Sequence, residues 1–388
     1  MAKTIKETLL GTLVHGEEIL ESIRVSRSIS QDKIPVGNIA DKKVAALHPK
    51  TLSLVVVDVV DTGKNARIIR FAGTNGYLPP FEAGQYINIF TEIDGVRTSR
   101  PYSISSSPRQ RAYYEITVAR TAEGFVSDYM IDKVQIGDRF SANGPAGVFR
   151  YQPVFHSKKS LYFAGGSGIT PFMSMIREVL EAALDRDIVL LYGSRTPEAA
   201  LYHDELAAYA EKYPNFKYHL VISEPAEGWQ GETGFINAGL IARLVPDYAE
   251  RTAYICGPQV MNDFCKKELE SMGVPAKRIR REMFGARKDI QNEPGWPEGL
   301  TGNEVFRLTV GDRVIDARSG ESILTALERA GVRVNVCCRS GECSLCRVKL
   351  VSGNVFLARG MLRRYADEQY GYIHSCKAYP IGDVVIQL

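Results

Sequence analysis

The sequence has no run of apolar residues that could cross a membrane and no pattern typical of a secretory signal. No apolar stretch approaches the roughly 18 residues that a spanning helix requires. The amino terminus carries Lys3, Lys6 and Glu7 before a short apolar patch, Leu9–Val14, and this arrangement is unlike that of a signal peptide. We therefore expect a cytoplasmic protein.

An excess of charge of one sign is also lacking. The 48 Lys and Arg residues nearly balance the 45 Asp and Glu residues, for a formal net charge of +3, and they form no long basic block. Such a chain is a poor candidate for binding nucleic acid. No internal repeat is visible. The 388 residues, of which 45% are apolar and 24% are charged, indicate a globular protein of two or three domains.

Hydrophobic periodicity divides the chain into segments of different type. Residues 1–50 begin with a helical pattern, which predicts a helical extension packed on the rest of the protein; a docking arm for a partner is the alternative. Residues 51–153 carry alternating apolar runs punctuated by Gly and Pro, as in an antiparallel β-barrel or sandwich. Residues 154–289 alternate strands with helices and predict a parallel α/β sheet. The apolar residues of the first pattern are Ile5, Leu9, Leu13, Leu20 and Ile23.

A linker sets off the last part of the chain. Residues 290–303 are rich in Pro and Gly and predict a connection between domains. Residues 304–388 open with two strands around Gly311-Asp312, which is typical of a hairpin, and continue with a helix that Gly331 would end. This segment therefore predicts a separate small domain with both strands and helices.

Cysteine is scarce until this last segment. Five of the seven cysteines fall within the last 52 positions, which in a reducing compartment indicates metal binding rather than disulfides. Cys338, Cys343, Cys346 and Cys376 have the plant-type [2Fe–2S] spacing C-x4-C-x2-C…C. Zinc is the alternative, but zinc ligands usually come as two C-x2-C pairs and only one is present. Cys337 does not fit the ligand spacing, and we interpret it as a buried bystander.

Two short motifs lie in the β-rich segment. Arg100-Pro-Tyr102-Ser103-Ile104 follows a predicted strand, and by itself it could be a strand end with a solvated arginine. Gly124-Phe-Val126-Ser127 opens a predicted helix, whose N-terminal N–H groups favour an anion. From the residues alone, only the second motif is thus suited to bind an anion.

The α/β segment carries a glycine-rich loop directly after a predicted strand, Gly165-Gly166-Ser-Gly168-Ile-Thr170-Pro171. Thr170 can cap the helix that follows, and Pro171 suits its first turn. Glycines let the backbone approach a pyrophosphate, and the helix N-terminus stabilises its charge. The loop departs from the G-x-G-x-x-G fingerprint, so its place between strand and helix is what supports a nucleotide site.

Three further elements follow predicted strands of the same segment. They are Gly193-Ser194-Arg195, Cys256-Gly257-Pro258 and the pair Glu282 and Phe284. In isolation, Cys256 would be a small buried strand residue and Phe284 a core aromatic.

Taken together, these motifs resemble the ferredoxin–NADP reductase superfamily with a C-terminal plant-type ferredoxin domain. The order of the domains is that of the phthalate dioxygenase reductase and phenylacetate hydroxylase reductase types. The resemblance covers residues 52–388. It implies a multidomain α+β and α/β protein with an antiparallel β-barrel for the flavin at 51–153, a parallel α/β nicotinamide domain at 154–289 and a β-grasp ferredoxin domain at 304–388.

The resemblance also implies roles for the motifs of the β-rich segment. Arg100 would neutralise a flavin phosphate, Tyr102 would pack on the flavin, and Ser103 would hydrogen-bond its ring. Ile104 belongs to the same motif. The segment with Gly124, Val126 and Ser127 would contact the pyrophosphate of FAD, which favours FAD over FMN.

For the α/β segment, the resemblance implies a site for NAD(P)H. Ser194 and Arg195 would meet the ribose 2′ position and slightly favour NADPH. Cys256, with Gly257 and Pro258, would approach the nicotinamide. Phe284, close to Glu282, would cover the flavin face. The glycine-rich loop would contribute Gly165, Gly166, Gly168, Thr170 and Pro171, and the implied catalytic set is Ser103, Cys256, Glu282 and Phe284.

The implied function is that of an NAD(P)H-dependent oxidoreductase. Electrons would pass from NAD(P)H through FAD and the [2Fe–2S] cluster to a partner redox protein, such as an oxygenase or demethylase component. Two alternatives remain open: an electron-transfer subunit of a larger dehydrogenase complex, and a redox-sensing binding protein. We expect four basic residues either around the cluster edge or on a solvated surface: Lys349, Arg363, Arg364 and Lys377.

Overall fold

A computed structural model of the chain describes residues 15–31, 39–63, 65–121, 124–283, 285, 289–357 and 364–388. The chain divides into two compact units, residues 1–50 and residues 51–388. Among the described residues, no helix is both long and apolar enough to cross a membrane.

Within its described residues, the first unit contains the helices α1 (Gly16–Gln31) and α2 (Ile39–Leu47). Glu17 and Glu18 lie in the first turn of α1, where negative charge complements the helix dipole. Leu20 is buried. The predicted helical character is therefore present in this region, whereas the packing of the extension on the rest of the protein stays a prediction. Three residues of the predicted apolar pattern lie outside the described ranges: Ile5, Leu9 and Leu13.

The second unit begins with a six-stranded antiparallel sheet in the order β4-β3-β6-β1-β2-β5. A bridge between Ile104 and Ile116 connects the two ends of this order, so that the sheet curls around an apolar core. The strands are β1 (Leu52–Asp61), β2 (Ala66–Gly73), β3 (Tyr86–Ile93), β4 (Val96–Ser103), β5 (Tyr114–Ala119) and β6 (Arg139–Ala146), with helix α3 (Phe125–Asp132) after β5.

A six-stranded parallel sheet follows, in the order β10-β9-β8-β7-β11-β12. Helices cover both faces, and separate apolar clusters fill the two sides, which is why its central strands are almost continuously apolar. The strands are β7 (Lys159–Gly165), β8 (Asp187–Ser194), β9 (Phe216–Ile222), β10 (Glu232–Thr233), β11 (Thr252–Cys256) and β12 (Ile279–Glu282). The α-helices are α4 (Thr170–Glu181), α5 (His203–Lys212), α6 (Ala238–Leu244) and α7 (Gln259–Ser271).

The last domain packs a helix on a mixed five-stranded sheet of order β14-β13-β19-β15-β17, the arrangement of a β-grasp fold. Ser322 caps this helix by accepting a hydrogen bond from the Thr325 N–H, and Gly331 follows it at φ +70°, as expected for a helix end. The strands are β13 (Val305–Val310), β14 (Arg313–Arg318), β15 (Arg347–Ser352), β16 (Val355–Leu357), β17 (Tyr372–His374), β18 (Ala378–Pro380) and β19 (Val384–Gln387), and the helices are α8 (Ile323–Arg329) and α9 (Tyr365–Gln369).

Polar contacts join these domains. Arg177 of α4 pairs with Glu115 of β5 at 2.7 Å and with Glu205 of α5 at 2.7 Å. The segment before the last domain contacts that domain, because Ile290 is fully buried beside Tyr379. The predicted fold class, with its antiparallel barrel, parallel α/β domain, small C-terminal domain and N-terminal helices, is confirmed.

Candidate functional site

The glycine-rich loop lies at the carboxyl end of β7, between β7 and α4. It forms a 3₁₀ turn, Gly166–Ile169. A Cβ at Gly168 would lie 2.2 Å from the carbonyl oxygen of Cys256, so only glycine lets the loop pack against the end of β11. Gly166 has φ +52° and open space where a Cβ would be. The loop therefore presents bare backbone next to a helix N-terminus, as a pyrophosphate site requires.

One expectation for this loop is wrong. Thr170 does not cap α4 with its side chain, because its hydroxyl donates to the carbonyl oxygen of Ser167 at 2.7 Å. Pro171 lies in the first turn of α4 as predicted from its missing N–H. Gly165 is packed closely enough that a Cβ would lie 2.3 Å from the sulfur of Met261. These residues shape the loop from behind.

A cavity of about 780 Å³ opens in front of the loop, within the size range of cofactor sites. Four of the predicted residues line it: Gly166, Ser194, Arg195 and Pro258. The Ser194 hydroxyl donates to the Thr196 carbonyl oxygen at 2.8 Å, whereas Arg195 is exposed. The structure thus brings together three strand-end motifs that are far apart in sequence.

The sequence did not identify other residues that line this cavity. Phe235 follows β10 and is 73% exposed, and Val260 on α7 is 82% exposed. Exposed apolar side chains at a cavity mouth are suited to contact a flat ring. Both have an apolar neighbour in the sequence, Ile236 and Met261, so no local pattern marks either as a cavity residue. The barrel contributes Thr62, Gly63, Asn65, Ala66, Ala119 and Arg120 to the cavity.

Cys256 and Glu282 lie side by side where β11 and β12 end, as register partners. Both are buried, and Glu282 Oε2 has no hydrogen-bond partner among the described residues. Burial, with a smaller effect from Glu342, raises the pKa of Glu282 well above its ordinary value. Burial and Glu282 likewise raise the pKa of the Cys256 thiol. Burial therefore favours the neutral form of both groups, and the unpaired carboxyl oxygen is available to a ligand. Phe284 lies outside the described residues.

The neighbouring Gly257 keeps this strand end close to the glycine-rich loop. A Cβ at Gly257 would lie 3.1 Å from the backbone of Gly165, a separation that few side chains would tolerate. The Asn262 amide on α7 donates to the carbonyl oxygen of Glu282 at 3.0 Å. These contacts hold the ends of β7, β11 and β12 together at one edge of the sheet.

The arginine motif of the barrel lies on β4. Arg100 Nη1 donates to Thr98 Oγ1 at 2.7 Å and to the Ser99 carbonyl oxygen at 2.8 Å, and no carboxylate pairs with it within the ranges that the structure describes. Burial and the nearby Arg339 lower the pKa of Arg100 to about 10. A phosphate near the two guanidinium groups would relieve their repulsion. The donor set thus fits a flavin phosphate.

The rest of this motif is less accessible. Tyr102 is half-buried, and burial raises its pKa. Ser103 is buried at the end of β4, where it pairs with Tyr86 of β3. The Ile104 side chain lies in the barrel core, so that only its backbone is available to a ligand.

The second barrel motif forms a compact turn at the start of α3. Ser127 Oγ accepts from the Thr121 N–H at 3.3 Å and donates to the Gly124 carbonyl oxygen at 3.3 Å. A Cβ at Gly124 would lie 1.9 Å from Ser127 Oγ, so glycine is required there. Val126 is part of the barrel core. The first N–H groups of a helix have no intrahelical partner, so the N-terminus of α3 fits a second phosphate.

The four predicted cluster ligands form two pairs. A hydrogen bond from the Cys343 thiol, with the N–H groups of Ser340 and Cys343, lowers the pKa of the Cys338 thiol. A hydrogen bond from Cys376 similarly lowers the pKa of Cys346. Among the described residues, no three His, Cys, Asp or Glu side chains surround a point where a single metal ion would sit. Two thiolate pairs are the donor set that two irons require.

The backbone around these thiols is unusual in conformation. Arg339, Gly341 and Ser344 all have φ between +54° and +82°, so the chain turns repeatedly and directs N–H groups toward sulfur. His374 supports the loop, with Nδ1 2.9 Å from the Gly341 carbonyl oxygen and Nε2 3.2 Å from Asp367. The local sequence thus folds into a loop adapted to bind an iron–sulfur cluster.

Of the four basic residues considered near the cluster, Lys377 is not at a surface. It is 5% exposed, and its Nζ donates to the Gly285 carbonyl oxygen at 2.9 Å. The expectation that it faces a partner or solvent is therefore wrong. Lys349 and Arg364 are exposed, and Arg363 lies outside the described residues.

Comparison with known proteins agrees with this domain order. Three family models match: the oxidoreductase FAD-binding domain over residues 53–151, the oxidoreductase NAD-binding domain over residues 163–267 and the 2Fe-2S iron-sulfur cluster binding domain over residues 308–380. The predicted cofactors, FAD, a [2Fe–2S] cluster and NAD(P)H, are confirmed by these matches, as is the assignment as an oxidoreductase.

Similar proteins are reductase components. The glycine betaine monooxygenase reductase subunit of Pseudomonas aeruginosa is 30% identical over 344 residues, which cover 85% of this chain and 93% of the relative. The ferredoxin reductase component of 3-ketosteroid-9-alpha-monooxygenase from Mycobacterium tuberculosis is 30% identical over 87% of this chain and 96% of its own length. The solved structure of phthalate dioxygenase reductase is 26% identical, with a TM-score of 0.64, and the match covers 87% of this chain and 98% of that one. The chain therefore belongs to the ferredoxin–NADP reductase superfamily, in the group whose members end in a [2Fe–2S] domain.

Proposed function

We propose that this chain is the reductase component of an oxygenase system, which takes a hydride from NAD(P)H and delivers single electrons to an oxygenase protein. The observation that carries the proposal is the placement of the cluster loop directly on the flavin barrel, where Cys337 contacts Tyr86 at 3.8 Å. The relatives named as monooxygenase reductase components support the class of partner.

The reaction balances over one NAD(P)H. The dinucleotide loses a hydride and becomes NAD(P)⁺, two molecules of acceptor each gain one electron, and one proton is released. When bound, the flavin converts the hydride into single electrons and the cluster carries them one at a time. The side chains and the backbone of this chain would bind and orient the dinucleotide and the flavin.

The cavity in front of the glycine-rich loop would bind the dinucleotide. Bare backbone at Gly166 and the N-terminus of α4 would hold the pyrophosphate, and Arg195 would reach the ribose. Cys256 and Glu282 would form the wall where the nicotinamide arrives. Because both are buried and burial favours their neutral forms, they would exclude water and offer hydrogen bonds without placing a charge beside the hydride.

The flavin would lie along β4 and β3. Arg100, with Arg339 nearby, would bind its phosphate, and the turn with Gly124 and Ser127 would bind the second phosphate of FAD. Ser103 would hydrogen-bond the ring through the same strand. We further propose the domain limits 51–153, 154–289 and 304–388, with 290–303 as the connection, and residues 1–50 as an extension of the body.

The acceptor would approach where the cluster loop is exposed. Leu345 stands between two of the cluster cysteines and is 49% exposed. It lines a cleft of about 780 Å³ between the barrel and the last domain, together with the exposed arginines Arg97, Arg139, Arg333 and Arg347. Arg97 pairs with Glu92 and Arg347 with Asp367, so Arg139 and Arg333 would do most to favour an acidic acceptor surface. We place this reaction in the cytoplasm, where thiols stay reduced.

Turnover distinguishes this function from its rivals. The holoprotein is mixed anaerobically with excess NADH or NADPH and a one-electron protein acceptor, and acceptor reduction is followed over many equivalents. Sustained turnover is expected. A single reduction of flavin and cluster without turnover would favour a redox-sensing protein. Purification in a fixed ratio with a dehydrogenase that holds its own flavin would favour a subunit of a larger complex.

A further inference from the structure

We propose that Cys337 is a positioning residue for electron transfer into the cluster. It would act as part of a contact that we name the cluster clamp: Tyr86, Asn88 and Asn143 of the barrel against Val336 and Cys337 of the last domain. The proposal rests on the function proposed above, because it concerns the distance between the flavin strand and the cluster. It assigns a role to a thiol that the ligand spacing leaves unused.

The contacts of the clamp are specific and buried. The Cys337 thiol donates to Tyr86 Oη at 3.8 Å. The side-chain amides of Asn88 and Asn143 both donate to one carbonyl oxygen, that of Val336, at 3.2 and 3.4 Å. Cys337, Tyr86 and Asn88 are all buried. Three polar groups from two barrel strands thus hold the two residues that directly precede the ligand Cys338.

Apolar packing alone would not account for this arrangement. The Oδ1 atoms of Asn88 and Asn143 have no hydrogen-bond partner among the described residues, and a buried unpaired polar atom is unfavourable. Each amide therefore keeps an uncompensated atom while it makes its bond to Val336. Buried polar contacts of this kind specify a geometry more than they add stability.

The barrel side of the clamp is connected to the flavin motif. Tyr86 pairs in register with Ser103 on β4 and with Ala146 on β6. A Cβ at Gly147 would lie 3.0 Å from the Tyr86 ring, so the ring packs closely against the backbone of Gly147. A shift of Cys337 relative to Tyr86 is consequently a shift of the cluster loop relative to the strand that carries Ser103.

A second link holds the other side of Cys338. Arg339 Nη2 donates to Thr98 Oγ1 at 3.0 Å, and Arg100 Nη1 donates to the same oxygen at 2.7 Å. Arg339 also pairs with Glu328. The first cluster ligand is therefore held on both sides by residues of β3 and β4. The rate of electron transfer falls as the distance between donor and acceptor grows. These contacts would therefore set the rate at which electrons enter the cluster.

The test compares full-length holoproteins with single substitutions. Cys337→Ala removes the thiol, and Tyr86→Phe removes only the hydroxyl, without altering the loop that binds the cluster. Tyr114→Phe is the matched control, because Tyr114 is a buried tyrosine of the same barrel whose hydroxyl donates to the Pro79 carbonyl oxygen. The measurements are iron content, amide hydrogen exchange of residues 333–343, and the rates of ferricyanide and cytochrome c reduction.

The clamp predicts a selective effect. Both clamp variants should keep their iron, and the amides of residues 333–343 should exchange about two- to five-fold faster, because the lost hydrogen bond has a thiol donor and is weak. Ferricyanide reduction, which can draw electrons before the cluster, should be unchanged in Cys337→Ala, whereas cytochrome c reduction should fall. Tyr114→Phe should leave the exchange of residues 333–343 unchanged.

Unchanged exchange in both clamp variants would overturn the proposal, and so would faster exchange with an unchanged ratio of the two rates. If Cys337→Ala does not retain its cluster, Tyr86→Phe alone decides between these outcomes. Failure of the proposed function would give a different result. The unsubstituted protein would then show no cluster-dependent reduction of any one-electron acceptor, whereas the clamp variants would still differ from it in amide hydrogen exchange.

Discussion

Cys256 and Glu282 end two adjacent parallel strands as register partners, and the carboxyl of Glu282 is buried without a partner for Oε2 among the described residues. Burial and, to a smaller extent, Glu342 raise its pKa, and burial together with Glu282 raises the pKa of Cys256. Burial favours the neutral form of this carboxyl in the folded protein, whereas in the unfolded chain it is charged at neutral pH. The raised pKa of Glu282 therefore makes the stability of the folded protein depend on pH.

Replacement of Glu282 by Gln should stabilise the protein at neutral pH. Because the folded pKa of Glu282 is raised, the native state of the unsubstituted protein loses stability as pH rises above the unfolded-state pKa of about 4.3. Glu282→Gln does not titrate, so its advantage should be absent near pH 4 and reach on the order of 1–3 kcal/mol at pH 7–8. Thermal unfolding across this pH range, with the exposed Glu298→Gln as control, measures the difference. An advantage that persists at pH 4 would contradict the assignment.

Serine substitutions should separate cluster ligands from the fifth cysteine. Cys338→Ser, Cys343→Ser, Cys346→Ser and Cys376→Ser should each abolish the EPR signal of the reduced cluster, because each thiolate is one of four ligands. Cys337→Ser should keep the signal, since its thiol faces Tyr86. Loss of the signal in Cys337→Ser would mean that the ligand set has been assigned incorrectly.

Replacement of Arg100 should weaken flavin binding. Arg100→Gln removes a half-buried cation whose hydrogen bonds go to neutral oxygens, and a charge-assisted bond to phosphate contributes roughly 1.5–3 kcal/mol. The Kd for FAD, measured by flavin fluorescence, should therefore rise about ten- to a hundredfold. Arg97→Gln, on the same strand but exposed and paired with Glu92, should change it little. Equal effects of the two substitutions would place the phosphate elsewhere.

Arg195 decides the preference between the two nicotinamides. It is exposed at the mouth of the cavity. If it binds a 2′-phosphate, Arg195→Ala should raise KM for NADPH about ten- to a hundredfold and KM for NADH far less. Steady-state ferricyanide reduction with each dinucleotide measures both constants. Equal changes in KM for the two would show that Arg195 does not read the 2′ position.

The sequence by itself determined the elements whose function depends on local spacing. Cys338, Cys343 and Cys346 lie within nine residues, so their order along the chain already dictates a tight loop. The glycine-rich loop is likewise local, because a strand, bare backbone and a helix N-terminus follow one another directly. The alternation of strands and helices predicted the parallel sheet, since buried strands and amphipathic helices have different periods.

Only the tertiary structure decided which distant residues meet. Cys337 is separated from Tyr86 by 251 positions, and Glu282 by 60 positions from Glu342, which raises its pKa. No local pattern marks either pair. The sequence suggested that Lys377 lies near the surface, but its side chain is buried and donates to the carbonyl oxygen of Gly285. The physical reason is that the spacing of residues along the chain determines which local structure a segment can form. Burial, pairing and pKa depend instead on neighbouring residues that the other domains bring close after folding.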